Sequence, residues 1–239
     1  MIKFEGNTAY LVPPKNRYQL SLYEPYDVTD YNFTFVAKVK ADWEKMNAFD
    51  KTREGGVITK NGKHIGLSVL KNTDWRLYIR GQFWCKLPNN TETFYDLFLE
   101  VDSDVKDTVL DIAFVHNKSE KKLALLLNDK YKEVTYDGEI IDYSDSWIWI
   151  GCQNAFDSCD EHHRGFLFGE IHHSAIYGTA LSMEDINKTF SYIKKEDVDL
   201  SYKPLCIFNF IQKTPYKVFD ITGNGNNMIM FDKKWMEKV

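Results

Sequence analysis

Apolar side chains recur at every second residue, in short runs, from one end of this chain to the other, and that rhythm constrains the fold more than any other feature. Phe33, Phe35, Ala37 and Val39 alternate with Thr34, Val36, Lys38 and Lys40. Ile65, Leu67 and Val69 alternate with His64, Gly66 and Ser68, and Trp75, Leu77 and Ile79 with Arg76, Tyr78 and Arg80. Successive side chains of a strand point to opposite faces, so each run predicts a strand with one dry face and one wet face. Tyr95 to Val101, Val109 to Val115, Leu123 to Leu127 and Trp147 to Ile150 continue the pattern, the last few being apolar enough to lie mid-sheet. Clusters of Gly, Asn, Asp and Lys divide the runs at the short spacing of an all-β sandwich or barrel.

One segment departs from the rhythm. Ser182 followed by Asp185 forms a capping box, Leu181 and Ile186 stand where a hydrophobic staple places them, and Ile186, Phe190 and Ile193 make a helical stripe. The spacing predicts one short helix near 183–194. No low-complexity stretch, charge block or Pro/Gly/Ser linker divides the 239 residues, so one core is expected over 1–239. A chain of this length buries about 70% of its unfolded surface in a single sandwich.

Composition narrows the function classes. A formal net charge of -5, with Lys and Arg scattered among Asp and Glu, leaves no basic stripe to neutralise a phosphate backbone, which argues against nucleic acid as a partner. The first residues hold no continuous apolar run and no stretch of about 18 apolar residues occurs, so neither a signal peptide nor a membrane span is expected. On that expectation the chain is made in the cytoplasm, and the sequons at Asn32, Asn89, Asn117 and Asn187 are chance. Four irregularly spaced cysteines do not make a disulfide framework. The unusual quantity is 15% aromatic residues, because aromatic rings on a solvent-facing sheet are flat apolar plates on which sugar rings can stack.

Three stretches resemble the laminin-G-like, pentraxin-type branch of the concanavalin A-like lectin and glucanase superfamily. Ile2 to Pro13 and Phe33 to Lys40 are similar to the family's opening strands. Trp149-Ile150-Gly151, then Phe168 to Tyr177, then Ala180-Leu181-Ser182 are similar to its most specific stretch. Ile207 to Phe210 followed by Val218 to Asn226 resembles a segment that opens the domain in many members but closes it here. The resemblance implies a two-sheet antiparallel jelly-roll sandwich in which C-terminal strands within 205–231 complete the fold beside the strand starting at Ile2, as in a circular permutation. Where the family carries an acidic residue this chain has Ile171-His172-His173, which counts against the family's calcium site.

The enzymatic candidate is Glu100-Val101-Asp102-Ser103-Asp104, similar to the acidic strand of jelly-roll glycoside hydrolases. Alternation on a strand would place Glu100, Asp102 and Asp104 on one face, and a retaining mechanism needs two carboxyl groups about 5 to 5.5 Å apart. A solvated strand end is the alternative. For metals, Cys152, Cys159 and His162 offer zinc ligands, although structural zinc sites use tighter cysteine pairs; a Cys152–Cys159 disulfide or a plain polar loop are the other readings. Asp220, Asn224 and Asn226 offer calcium oxygen ligands in a Gly-rich turn, where such side chains also bond their own backbone amides.

The densest constellation runs from Asp74 to Trp84. Arg76, Tyr78 and Arg80 share one face of a predicted strand, opposite Trp75, and with Gln82 and Trp84 they make the composition of a glycan platform: aromatic rings for pyranose faces, polar groups for hydroxyls. In the opposing reading Trp75 and Trp84 are core residues and the arginines solvate an outer face. Three functions follow: a non-catalytic glycan-binding module; a structural or adhesion protein of a larger assembly such as a bacteriophage decoration or fibre, with other protein subunits as partners; or a glycoside hydrolase using Glu100 and Asp104.

Overall fold

The alternating runs pair antiparallel throughout the described residues of the computed structural model, which are 1–5, 8–12, 32–49, 53–60, 65–140, 148–153, 165–193, 202, 204–210, 213–214 and 217–232. In chain order the strands are β1 (Ile2–Glu5), β2 (Thr8–Val12), β3 (Phe33–Ala41), β4 (Glu54–Lys60), β5 (Ile65–Lys71), β6 (Leu77–Lys86), β7 (Glu92–Glu100), β8 (Leu110–Asn117) and β9 (Lys122–Leu127). They continue with β10 (Lys130–Thr135), β11 (Glu139–Ile140), β12 (Ile148–Ile150), β13 (Phe168–Tyr177), β14 (Pro204–Phe208), β15 (Lys213–Thr214), β16 (Lys217–Val218) and β17 (Met228–Asp232), with helix α1 (Met183–Ile193) between β13 and β14.

Among the described residues these strands make two sheets. A seven-stranded sheet runs β1-β13-β3-β8-β9-β10, with β14 also on β13, and a ten-stranded sheet runs β11-β6-β5-β4-β12-β2-β17-β16-β15, with β7 also on β6. β1 and β14 divide the flank of β13 that faces away from β3, β1 against Phe168 to Ile171 and β14 against Ser174 to Tyr177. β17 pairs with β2, Ile229 opposite Leu11 and Met230 opposite Tyr10. A C-terminal strand thus pairs with an N-terminal one in the ten-stranded sheet, while in the seven-stranded sheet β1 and β14 share the flank of β13 without pairing with each other.

The core lies between the sheets. Phe33 and Phe35 of β3 and Phe114 of β8 meet Phe83 of β6, and all four are fully buried, each worth roughly 1.5–3 kcal/mol. Gly81 of β6 gives the Phe114 ring its space: a Cβ there would lie 2.5 Å from Phe114 Cδ2. His116 is buried between Phe33 and Phe83, with Nε2 2.8 Å from the Tyr136 hydroxyl.

The expectation of one wet face per strand fails on β3. Thr34, Val36 and Lys38 are buried as well, because α1 lies over that face and Val36 packs with Leu181, Ile186, Phe190 and Ile207 in a second apolar cluster. The helix starts as its capping box requires. The Asp185 amide donates to Ser182 Oγ at 3.1 Å, and Ser182 Oγ donates to the Asp185 carboxylate at 2.6 Å. Trp147 and Lys194 lie outside the described residues.

Candidate functional site

β6 places Ile79, Phe83 and Cys85 in the core, fully buried, and its two-residue period turns Tyr78, Arg80, Gln82 and Trp84 to the other face. Across the ladder, Glu100, Phe98, Asp96 and Phe94 of β7 stand opposite those four in turn. Two aromatic pairs result. Tyr78 and Phe98 meet edge to face with centroids 6.1 Å apart, while Trp84 and Phe94 stack at 5.0 Å with planes 15° apart. Phe94, near the start of β7, is 45% exposed, so its ring is open to solvent.

Between the pairs sits an ion cluster. Arg80 Nη1 donates to both oxygens of Glu54 on β4, and Arg80 Nη2 donates to both oxygens of Asp96, all at 3.0 Å. Ser68 of β5, opposite Arg80 in the ladder, donates to Glu54 Oε1 at 2.7 Å. The guanidinium also lies 5.7 Å from the Phe98 ring centre. Burial alone would pull the Arg80 pKa down, but the Glu54 and Asp96 carboxylates outweigh it and the net shift is upward. One cation between two carboxylates leaves this stretch with no uncompensated positive charge. Gln82, opposite Asp96, is buried within the same face.

Arg76 does not belong to the strand. β6 begins at Leu77, and Arg76 stands just before it, hydrogen-bonded to Tyr78 and 3.6 Å from Glu100. Trp75 is neither a strand residue nor a core residue: its φ is +62° and it is 57% exposed. The Asn72 side chain, accepting the Asp74 and Arg76 amides, holds the chain in a turn there. Trp75 meets Phe49 edge to face at 5.8 Å, and Lys71 Nζ, 4.7 Å from the indole centre, donates to the Trp43 and Met46 carbonyls. This third aromatic pair lies where the β3–β4 and β5–β6 connections meet, at one end of the sandwich. Trp84 likewise is not core but half-buried on the β6 face.

The acidic triple does not form one strand face. β7 ends at Glu100; Val101 turns into the core, and Asp102 to Asp107 form a turn. Glu100 is beside Arg76, and Asp102 is held 2.7 Å from Lys130 Nζ, which also donates to the Glu100 carbonyl. Two-residue alternation stops at the chain reversal, so Asp104 is displaced from the other two.

Asp220 is used inside its own loop. Oδ1 accepts the amides of Ile207 and Thr222 and the Thr222 hydroxyl, and Oδ2 accepts that hydroxyl and the Asn226 amide. The side-chain amides of Asn224 and Asn226 donate to β14 carbonyls. These residues tie the loop to β14, and a cation at Asp220 would have to displace backbone donors. Cys152 is buried; Cys159 and His162 lie outside the described residues. Among the described residues no group of three His, Cys, Asp or Glu side chains could hold a metal.

Sequence reasoning missed Phe94, Asp96, Phe98 and Glu54. The alternation of Phe94, Asp96 and Phe98 with Tyr95, Leu97 and Leu99 was the available signal for the first three; Glu54 arrives from another strand and had none. It also missed a groove of about 230 Å³ between the start of α1 and the outer face of β8 to β10, with Ala124 and Leu126 in its floor and Lys122, Tyr131 and Glu133 at its rim. Burial and the Glu133 hydrogen bond push the Tyr131 hydroxyl up to about 12.

No known protein family and no curated protein matches the sequence. Solved structures do match in fold. The CBM40 of Ruminococcus gnavus IT-sialidase aligns with a TM-score of 0.51 at 12% identity, over 77% of this chain and 93% of its own. The same module bound to α2,6 sialyllactose aligns with a TM-score of 0.52. NanB in complex with Optactamide aligns with a TM-score of 0.50 at 15% identity, over 90% of this chain and 29% of the larger protein. The chain has the concanavalin A-like jelly-roll fold.

Proposed function

We propose that this chain is a non-catalytic glycan-binding module whose binding face is the outward side of β6 and β7. The observation that carries the reading is the pair of aromatic contacts, Tyr78 with Phe98 and Trp84 with Phe94, standing on a sheet face with polar groups between them. Such rings present flat apolar area at low entropic cost, while the carboxylates of Asp96 and Glu100 supply acceptors for hydroxyls. That a module of the same fold is solved with sialyllactose supports glycan binding by this architecture.

The test is a glycan array probed with the full chain, followed by titration of the best ligand against Trp84→Ala and Phe94→Ala. Each substitution is expected to weaken binding at least tenfold, about 1.4 kcal/mol or more. Absence of binding to any glycan, or binding that neither substitution alters, contradicts the reading.

A second reading, a structural or adhesion subunit of an assembly, is favoured by the exposed Phe49–Trp75 corner. Bulky side chains rarely occupy left-handed backbone, and exposed aromatics are enriched at protein interfaces. Light scattering distinguishes it: an oligomer dissociated by Trp75→Ala supports this reading, and a monomer at all concentrations counts against it.

A further inference from the structure

The geometry points to the ligand's class: we infer that the β6–β7 face takes an extended, uncharged oligosaccharide lying along the strands, and not a terminal acidic sugar. This rests on the glycan-binding reading above and goes beyond it in fixing length and charge.

Length comes from register. Tyr78 and Trp84 are six residues apart on β6, while Phe98, which stands opposite Arg80 and meets Tyr78 diagonally, is four residues from Phe94 on β7, so the two aromatic pairs are roughly 13 to 20 Å apart along the sheet. One pyranose cannot reach both. A chain of linked rings lying parallel to β6 can, with hydroxyls over Asp96 in the interval. Two contact points on one flexible ligand raise affinity by making the second contact intramolecular, so the gain should appear only once the ligand spans both.

Charge comes from the ion cluster. An acidic sugar binds through an arginine or lysine that can turn to its carboxylate. Arg80 instead spends its fork on Glu54 and Asp96, with Glu54 further fixed by Ser68, and Arg76 faces Glu100 and Tyr78. With Lys86 and Glu92, which the same period turns to this face opposite each other, four carboxylates (Glu54, Glu92, Asp96 and Glu100) stand against three cations (Arg76, Arg80 and Lys86), so a carboxylate or sulfate placed between the aromatic pairs meets net negative charge. The polar groups are acceptor-rich, which suits hydroxyl donors. The sialyllactose of the CBM40 structures is thus the wrong charge for this face, whatever the shared fold.

The experiment is calorimetric or fluorescence titration of the full chain with neutral cello-, xylo-, manno- and laminari-oligosaccharides of increasing length, beside sialyllactose and oligogalacturonides of matched length. The inference expects one neutral series to gain about tenfold or more between short and long members, with little dependence on salt. In Trp84→Ala and Phe94→Ala the gain with length disappears while binding of the short members persists; in Tyr78→Ala and Phe98→Ala the short members are lost as well or the gain disappears. Tightest binding to the acidic probes, weakened by salt, overturns the inference while leaving the glycan-binding reading intact, as does affinity that is flat with length in every neutral series. Failure of all probes, neutral and acidic, removes both. Should a variant not fold, the wild-type length series decides the matter alone.

Discussion

His173, among the described residues, sits where its charged form is strongly disfavoured. It is buried on β13 beside Lys38, and neither ring nitrogen has a hydrogen-bond partner among the described residues. Burial first, and the Lys38 charge second, push its pKa from 6.5 down to about 3. Between those values the unfolded chain binds a proton that the folded one does not. The stabilisation from a neutral His173 is therefore complete above about pH 6.5 and is lost as pH falls toward 3, at up to about 1.4 kcal/mol per pH unit. Urea unfolding of wild type and His173→Leu from pH 7 to pH 4 should give curves that diverge in slope, the variant being flatter; parallel curves contradict the assignment. At this scale the sequence was legible where a strand's period governs. Tyr78, Arg80, Gln82 and Trp84 share a face because β6 runs unbroken through them. It was not legible where a neighbour decides. Trp75 leaves the strand because the Asn72 side chain closes a turn, and Arg80's charge is cancelled by Glu54, some 26 residues away in sequence.

Among elements, α1 and β6 make opposite cases. The start of α1 could be read directly, since a capping box is a contact between residues three apart, and Ser182 with Asp185 forms it. The opposite face of β3 could not, because its burial depends on α1 docking over it from far along the chain. β6 is the element on which the binding face depends, and its seating in the core is set by Gly81. A methyl group there would strike the Phe114 ring, so Gly81→Ala should destabilise by about 1–3 kcal/mol through overpacking. Chemical denaturation checks this, and Gly81→Ala with Phe114→Leu should recover part of the loss. Equal stability of Gly81→Ala and wild type would mean that β6 sits further from β8 than described.

For the whole molecule, strands from the two ends of the sequence meet in the sheets, β17 on β2 and both β1 and β14 on β13. The jelly-roll architecture was evident from alternation and from the three motif stretches, while Asp102, Asp104 and Trp75 were placed on strands that do not reach them, because two-residue periodicity says nothing once the chain turns; at Asp220 the sequence left calcium binding and backbone bonding both open, and the side chain bonds amides of its own loop. The turns after β7 and before β6 carry Asp102, Asp104 and Trp75, and the loop before β17 carries Asp220 and the two asparagines. What remains on flat, regular strand is the β6–β7 face with its aromatic pairs, and the functional account depends on it. Two-dimensional NMR of the full chain, titrated with the neutral glycan that binds best, tests that account most directly. The account predicts that the largest shifts fall on the Trp84 indole and on Tyr78, Phe94 and Phe98; shifts confined to the Phe49–Trp75 corner or to the groove beside Tyr131, with the β6–β7 signals unmoved, would contradict it.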